Sequence, residues 1–541
     1  MELLNWLTPN ISTNSVLILT SIILFAVYWL RERFSYWSRN GVPSVSPLGC
    51  FKSTMAFSLG WKHMLDLFLK MHIDLPSEAK FGGAWQLLQP TLIVRDPEMV
   101  RLFLIKGFTN FHDRGPPPDE KNDALGGNLF QLAGDRWRQV RHKLSPAFSA
   151  AKLKIMFQSL KGCANELNAY LMNLASETGS AEIDVKQLMS NYTLDVIGAC
   201  AMGIKCNAIQ DPNCEFKRIM ALIFRFDWRR SLFFFLELVH PKVPKLLGLK
   251  PANPEVVDFL TRIVRETMEM KEGDLSVVRK DFLQIMMNLR DFPEENVKED
   301  DEENGSALPK ENGWMEKKEI VNSESKVPLF SEGMITGVIS SFLSAGFEPV
   351  SAGLTFALFE LAQNPEVQKK MFDEIRSVKA ELGDEITFES LKKFKYTDQV
   401  INETLRKRPV AAALVRICTE PFLIPDTSFI VQKGTRVIIV AYALQRNPKY
   451  FPEPEKFDPD RFSEENVDKI VPGSYLPFGD GPRFCIAMRL ALMDIKTALI
   501  MIVSNYKILP CARTPKDIEY DPHSFTLNSN GPLWLRLEKR K

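Results

Sequence analysis

Pro477-Phe478-Gly479-Asp480-Gly481-Pro482-Arg483-Phe484-Cys485-Ile486-Ala487 is a glycine-rich, proline-stiffened loop that runs directly into an apolar stretch of helical periodicity. Glycines at 479 and 481 permit tight turns and close backbone approach, and so expose backbone N–H groups toward the Cys485 sulfur. A helix starting just after Cys485 places its positive dipole end there, which favours thiolate over thiol. Arg483 suits an anionic substituent of whatever the sulfur holds. No histidine stands near Cys485 in sequence, so the pattern fits a thiolate ligand for a planar metal cofactor better than a nucleophile. The remaining cysteines of the eight (Cys50, Cys163, Cys200, Cys206, Cys214, Cys418 and Cys511) have ordinary neighbours and read as small buried apolar residues. None forms a C-x-x-C pair, and such sparse cysteines predict reduced thiols in a cytosol-facing body.

Working outward, the 541 residues are 45% hydrophobic and 25% charged, which is globular composition with ample material for a large core. Length alone allows several domains. Lysine and arginine number 68 against 67 acids, so the chain lacks the basic excess of a nucleic-acid binder. Segments 84–94 and 435–440 read as strands. Helical periodicity runs through 137–144, 151–173, 256–270, 331–363, 366–382, 388–407 and 486–504. A mainly α fold with small β-sheets follows, with no internal repeat.

At the front, 3–30 carries no charge, and 11–30 as a helix spans about 30 Å, enough for a bilayer core. The rival reading, a cleaved signal peptide, is opposed by Glu2 and by the absence of a small-residue cleavage site before Arg31. Arg31, Arg33 and Arg39 follow the span and leave the bulk of the chain in the cytosol. Segment 31–50 is basic and contains Pro43 and Pro47, which predicts a stiff hinge. The stretch 291–303 is dominated by acids and polar sequence continues to 326, which predicts a solvated loop or a regulatory segment. Segment 231–250 mixes aromatic and aliphatic residues with prolines and Lys242, Lys245 and Lys250. It reads either as buried core or as a surface resting in lipid headgroups.

The loop at 478–487 resembles the haem-binding loop of the cytochrome P-450 superfamily, Phe-Gly-x-Gly-x-Arg-x-Cys-x-Gly or Ala. The resemblance extends from the proline hinge to the C-terminus. It implies a cytochrome P-450 fold preceded by an N-terminal transmembrane helix: an anchor at 1–30, a hinge at 31–50 and a catalytic domain at 51–541. It also implies haem b with Cys485 as axial thiolate, and Phe478 and Arg483 as loop residues at the cofactor. Trp137, Arg141, Arg416 and Arg114 become donors to haem propionates. Glu403 and Arg406, at i and i+3 on one helix, join Arg461 of Phe457-Asp458-Pro459-Asp460-Arg461-Phe462 in a structural triad, with Asp460 in the family's Glu position. Arg136, Arg138, Lys143 and Arg489 suggest a basic face for an acidic electron donor, by family an NADPH-cytochrome P-450 reductase, with cytochrome b5 as a second partner. Motifs at 111–115, 345–348 and 450–457 look most like insect microsomal detoxification enzymes. These carry the expectation of an endoplasmic reticulum membrane location and small lipophilic substrates.

One position breaks the pattern. The family's helix over the haem reads Ala-Gly-x-Glu-Thr-Thr or Ser, and its first Thr helps deliver protons to dioxygen. This chain reads Ala345-Gly346-Phe347-Glu348-Pro349-Val350-Ser351. Proline removes an amide and crowds the turn at Ala345, which predicts an opened helix. Positions 342, 345, 352, 353 and 356 share the face of 349 and offer no hydroxyl. Ser351 lies about 200° away around the helix. Glu348 with water is the remaining relay. Monooxygenation stands first. The alternatives are haem-thiolate rearrangement or dehydration of a peroxide or oxime, and a haem-binding ligand sink without turnover.

Overall fold

The structure, a computed structural model, describes residues 13–118, 123, 125–176, 179–225, 227–240, 242–273, 281–291 and 330–540. The first residues of the expected anchor, 1–12, and positions 292–326 of the acidic and polar segment lie outside the described residues.

The first half contains helices α1 (Thr13–Phe34), α2 (Pro47–Ser58) and α3 (Met64–Ile73), strands β1 (Phe81–Gln86) and β2 (Gln89–Val94), and helices α4 (Gly134–Leu144) and α5 (Ala150–Leu174). Strand β3 (Ser180–Asp184) and helices α6 (Val185–Met202), α7 (Trp228–Val239) and α8 (Pro254–Gly273) follow. The second half has helices α9 (Glu332–Gln363), α10 (Pro365–Leu382) and α11 (Lys395–Lys407), then strands β4 (Leu414–Ile417) and β5 (Arg436–Ile439). It closes with helix α12 (Met488–Asn505) and strands β6 (Tyr506–Pro510) and β7 (Trp534–Lys539). The protein is therefore mainly helical with small sheets. One sheet has the order β1-β2-β5-β4, with β2 parallel to β5 and the other pairs antiparallel. A second, antiparallel sheet has the order β3-β7-β6.

Helix α9 is the axis of the core. Ser331 caps its first turn by accepting from the Met334 amide at 3.3 Å, and buried residues surround most of its length. Its small residues set close approaches: a Cβ at Gly346 would stand 2.3 Å from Ile197 of α6, and one at Gly337 would stand 2.8 Å from the Gly127 carbonyl. Among the described residues it is the helix long and apolar enough to cross a membrane, but it is buried as the centre of the fold.

Several expectations change. Segment 84–94 is not one strand but the end of β1, a turn at Leu87 with φ of 53°, and β2. The expected helix 388–407 starts only at Lys395. Thr387 and Ser390 exchange side-chain to backbone hydrogen bonds before it, and the Glu374 carboxylate accepts from the Tyr396 and Thr397 amides at 2.6 and 2.9 Å. A carboxylate at that N-terminus fixes the start. Helix α9 runs unbroken through Pro349, since one lost backbone bond is small against its packing. Segment 231–250 is neither one buried helix nor wholly surface: Leu238 is buried in α7, whereas Leu246 is 86% exposed.

The segment read as a hinge is fastened to the sheet. Trp37 is fully buried, its Nε1–H donates to the Ala84 carbonyl at 3.0 Å, the Val45 amide donates to the Gly83 carbonyl of β1 at 2.8 Å and the Gly83 amide donates back to the Pro43 carbonyl at 2.8 Å.

Candidate active site

The loop before α12 is shaped by backbone approach. Gly481 has φ of +67°, and a Cβ there would lie 1.9 Å from the Leu104 carbonyl oxygen. Gly479 has φ of +76°. Asp480 accepts from the Gly481 amide at 2.7 Å, and the Cys485 amide donates to the Phe478 carbonyl at 2.9 Å, closing the loop on itself. Helix α12 starts at Met488, three residues after Cys485 rather than directly after it.

The thiol differs from the sequence expectation. Burial pushes the Cys485 pKa up; the Ala487 N–H and the guanidiniums of Arg141 and Arg114 pull the other way without winning. A bound cation is what deprotonates such a sulfur outright.

Four guanidiniums converge here. Arg483 donates through Nε to the His112 carbonyl at 2.8 Å and through Nη2 to the Leu132 carbonyl at 2.7 Å. Its guanidinium lies 4.0 Å from the Trp137 ring centroid. Arg483 therefore spends its fork on protein carbonyls and clamps the loop to segment 112–132. Arg114 donates to the Arg483 carbonyl at 2.9 Å and Arg141 to the Phe484 carbonyl at 3.1 Å. Arg416, on β4, is buried; its Nη1 donates to the Val415 carbonyl at 2.9 Å and its Nε has no hydrogen-bond partner among the described residues. Burial first, and then repulsion from neighbouring guanidiniums, lower Arg483 to about 8, Arg416 to about 9 and Arg114 to about 10. Asp113, 3.5 Å from Arg483, only partly offsets the charge. A sulfur beside crowded buried cations with an unbonded donor fits a metal cofactor that carries carboxylates.

Helix α9 contributes Ala345, which is exposed while Phe342, Leu343 and Phe347 are buried, and Gly346 packed on Ile197. Glu348 accepts from Ser524 Oγ at 2.9 Å and from Asn528 Nδ2 at 3.3 Å. Burial raises its pKa, while Ser524, Thr526, Asn528 and Lys186 oppose the rise.

The expected triad is brought together on α11. Arg406 grips Glu403 through Nε and Nη2 at 2.7 and 2.8 Å, both fully buried. Arg461 Nε lies 3.5 Å from Glu403 Oε1, an ion pair without hydrogen-bond alignment, and its Nη2 donates to the Glu453 carbonyl. Asp460 instead meets Lys370 at 3.0 Å.

Sequence reasoning missed three supports. Gln445 donates to the Leu405 and Arg406 carbonyls and accepts from the Leu476 amide at 2.7 Å, tying α11 to the chain entering the cysteine loop. Buried Glu360 of α9 pairs with Arg408 at 2.6 Å and Lys407 at 2.9 Å. Ser524 and Asn528 approach from the far end of the chain. None lies in a local pattern that announces it.

The fold and this loop define a haem-thiolate class of protein, and the comparisons place the chain within it. The cytochrome P450 family profile matches residues 77–536. The chain is 32% identical over 533 residues to the probable cytochrome P450 6d4 of Drosophila melanogaster, covering 97% of this chain and 98% of that relative. It is 34% identical over 543 residues to cytochrome P450 9e2 of Blattella germanica, with 96% of each covered. Cytochrome P450 6k1 of Blattella germanica is 31% identical over 528 residues, with 97% of each covered. This chain belongs to the cytochrome P450 family and is a haem monooxygenase, an oxidoreductase.

Proposed function

We propose that the protein inserts one oxygen atom of O2 into a small lipophilic substrate, foreign or endogenous, at the endoplasmic reticulum membrane. Electrons come from an NADPH-dependent flavoprotein reductase, with cytochrome b5 as an auxiliary donor. The carrying observation is Cys485 on a glycine-tightened loop beside a cluster of buried guanidiniums.

Haem b, when bound, supplies the oxygen chemistry through iron held by a thiolate that favours O–O cleavage. Cys485 would hold the iron through its thiolate. Arg114, Arg141, Arg416 and Trp137 would hold the haem carboxylates, Arg416 through the Nε that has no partner among the described residues. Arg483 and Phe478 keep the loop in shape. By family position Ala345, Gly346 and Pro349 would line the substrate pocket, with walls drawn from 111–118, 125–130, 220–225, 227–235, 342–350 and 410–415.

The N-terminal 1–30 serves as anchor, and 51–541 as catalytic domain on the cytosolic side. Val16 to Leu30 on α1 expose apolar side chains, as do Trp228, Leu246 and Leu247, and this supports seating on lipid.

Pro349 favours a second reading, haem-thiolate rearrangement or dehydration without reductive oxygen activation. Supplying NADPH, reductase and oxygen decides between them. Product with modest peroxide leakage supports monooxygenation. Turnover of a hydroperoxide without NADPH supports the second reading, and substrate-induced spectral shifts with neither activity leave a ligand sink. The carbon monoxide difference spectrum of the reduced protein reports Cys485 ligation directly, and Cys485→Ser is expected to abolish its thiolate band.

A further inference from the structure

Position 349 offers neither a hydroxyl nor an amide, and the residues sharing its face, Phe342, Ala345, Ala352, Gly353 and Phe356, bring no hydroxyl. The hydroxyl beside α9 comes from the other end of the chain. Ser524 Oγ donates to Glu348 Oε1 at 2.9 Å, Thr526 Oγ1 lies 3.3 Å behind Ser524 Oγ, and Asn528 Nδ2 reaches the same carboxylate oxygen at 3.3 Å. All three loop residues are buried.

Bonds to separate parts of the fold hold this loop in place. The Phe525 amide donates to the Phe224 carbonyl at 3.2 Å and the Leu527 amide to the Val410 carbonyl at 2.8 Å. His63, which caps α3 by accepting from the Leu65 amide at Nδ1, lies beside the Ser524 and Thr526 backbone, its Nε2 without a hydrogen-bond partner among the described residues. Arg230 of α7 and Lys186 of α6 bring positive charge to Glu348 from two further elements. A loop needed only for shape requires no row of buried hydroxyls ending on a buried carboxyl.

We infer that Ser524, backed by Thr526 and flanked by Asn528, replaces the hydroxyl that position 349 lacks, and that the C-terminal loop with Glu348 forms this enzyme's proton-carrying chain. This rests on the monooxygenase reading. In RH + O2 + NADPH + H⁺ → ROH + H2O + NADP⁺, electrons come from NADPH and the chain moves protons only. Glu348 gives up its carboxyl proton toward the groove beside Ala345. Ser524 Oγ–H then passes its proton to Glu348 Oε1 and takes one from Thr526 Oγ1–H, which solvent refills. Ser524, Thr526 and Asn528 are positioning residues for Glu348.

The test compares wild type, Ser524→Ala, Ser524→Thr, Pro349→Thr and Ser524→Ala/Pro349→Thr as full-chain holoenzymes that retain the thiolate carbon monoxide band. Two readouts stand apart from turnover: the infrared carboxyl stretch of Glu348 in the resting protein, identified by its loss in Glu348→Gln, and the haem content. Ser524→Ala is expected to shift that stretch, to lower product per NADPH on the order of tenfold with matching peroxide release, and to raise the solvent deuterium isotope effect. Ser524→Thr recovers most of the coupling. Pro349→Thr, which leaves the loop untouched, is expected to leave wild-type coupling about unchanged and to rescue the double variant. The inference is overturned if coupling, isotope effect and infrared band in Ser524→Ala match wild type, or if Pro349→Thr does not restore coupling in the Ser524→Ala/Pro349→Thr variant. A wild type that makes no product from NADPH and oxygen yet turns over a hydroperoxide overturns the monooxygenase reading instead. That outcome differs from a coupled wild type indifferent to Ser524.

Discussion

Gly481 carries a left-handed backbone with the Leu104 carbonyl where a side chain would begin. The conformation alone costs a non-glycine residue about 1–3 kcal/mol, and the carbonyl leaves no room for relief. Gly481→Ala is therefore expected to lower haem retention and melting temperature together, measured by haem content and calorimetry. Unchanged haem content in a less stable protein would separate the loop from the cofactor. Glycine spacing around Cys485 marks this loop in the sequence, because tight turns need glycine. The use of Arg483 is not visible there. Its partners are carbonyls of His112, Leu129 and Leu132, more than three hundred residues earlier, and carbonyls leave no trace in a sequence.

Among elements, α11 and the segment behind it depend on the Glu403–Arg406 pair. Glu403→Gln leaves the buried Arg406 cation uncompensated, and a loss of about 3–5 kcal/mol is expected in denaturant unfolding. Arg461→Ala should cost far less, since that residue pairs at 3.5 Å without alignment and bonds elsewhere. Equal losses would make the three residues one unit. Helices α6 and α12 are joined by Tyr192, whose hydroxyl donates to Asp494 at 2.8 Å. Burial raises Asp494 from its ordinary 3.8 to about 7, against the Tyr192 bond. The folded state thus holds this proton where the unfolded chain has released it. Stability from this group falls as pH rises from about 4 to about 7 and is level beyond. Asp494→Asn should remove that fall, read as urea midpoints across the window; parallel curves for variant and wild type would exclude it. The i and i+3 spacing on α11 is apparent from sequence because helical geometry is local. The Tyr192–Asp494 contact spans 302 positions and is not.

At the scale of the molecule, Arg138 and Arg489 are exposed around the cysteine side, with Arg136 and Lys143 half-buried. Arg138 shares its charge with Asp135 at 3.1 Å. Neutralising Arg138, Lys143 and Arg489 together is expected to raise the apparent KM for reductase and to flatten its salt dependence, with kcat at saturation preserved. Unchanged kinetics at low salt would remove this face from docking.

What the sequence determined by itself was local chemistry: the cysteine loop, the helical periods, the i and i+3 ion pair, and the proline where a hydroxyl is expected. Each follows from backbone geometry over a few residues. Tertiary structure decided which distant groups meet them. It turned Arg483 onto loop carbonyls, kept α9 continuous through Pro349, started α11 at the Glu374 carboxylate, and brought Ser524 and Asn528 to Glu348. Those outcomes depend on burial and on the pairing of charges and hydrogen bonds in low dielectric, which only the packed chain sets.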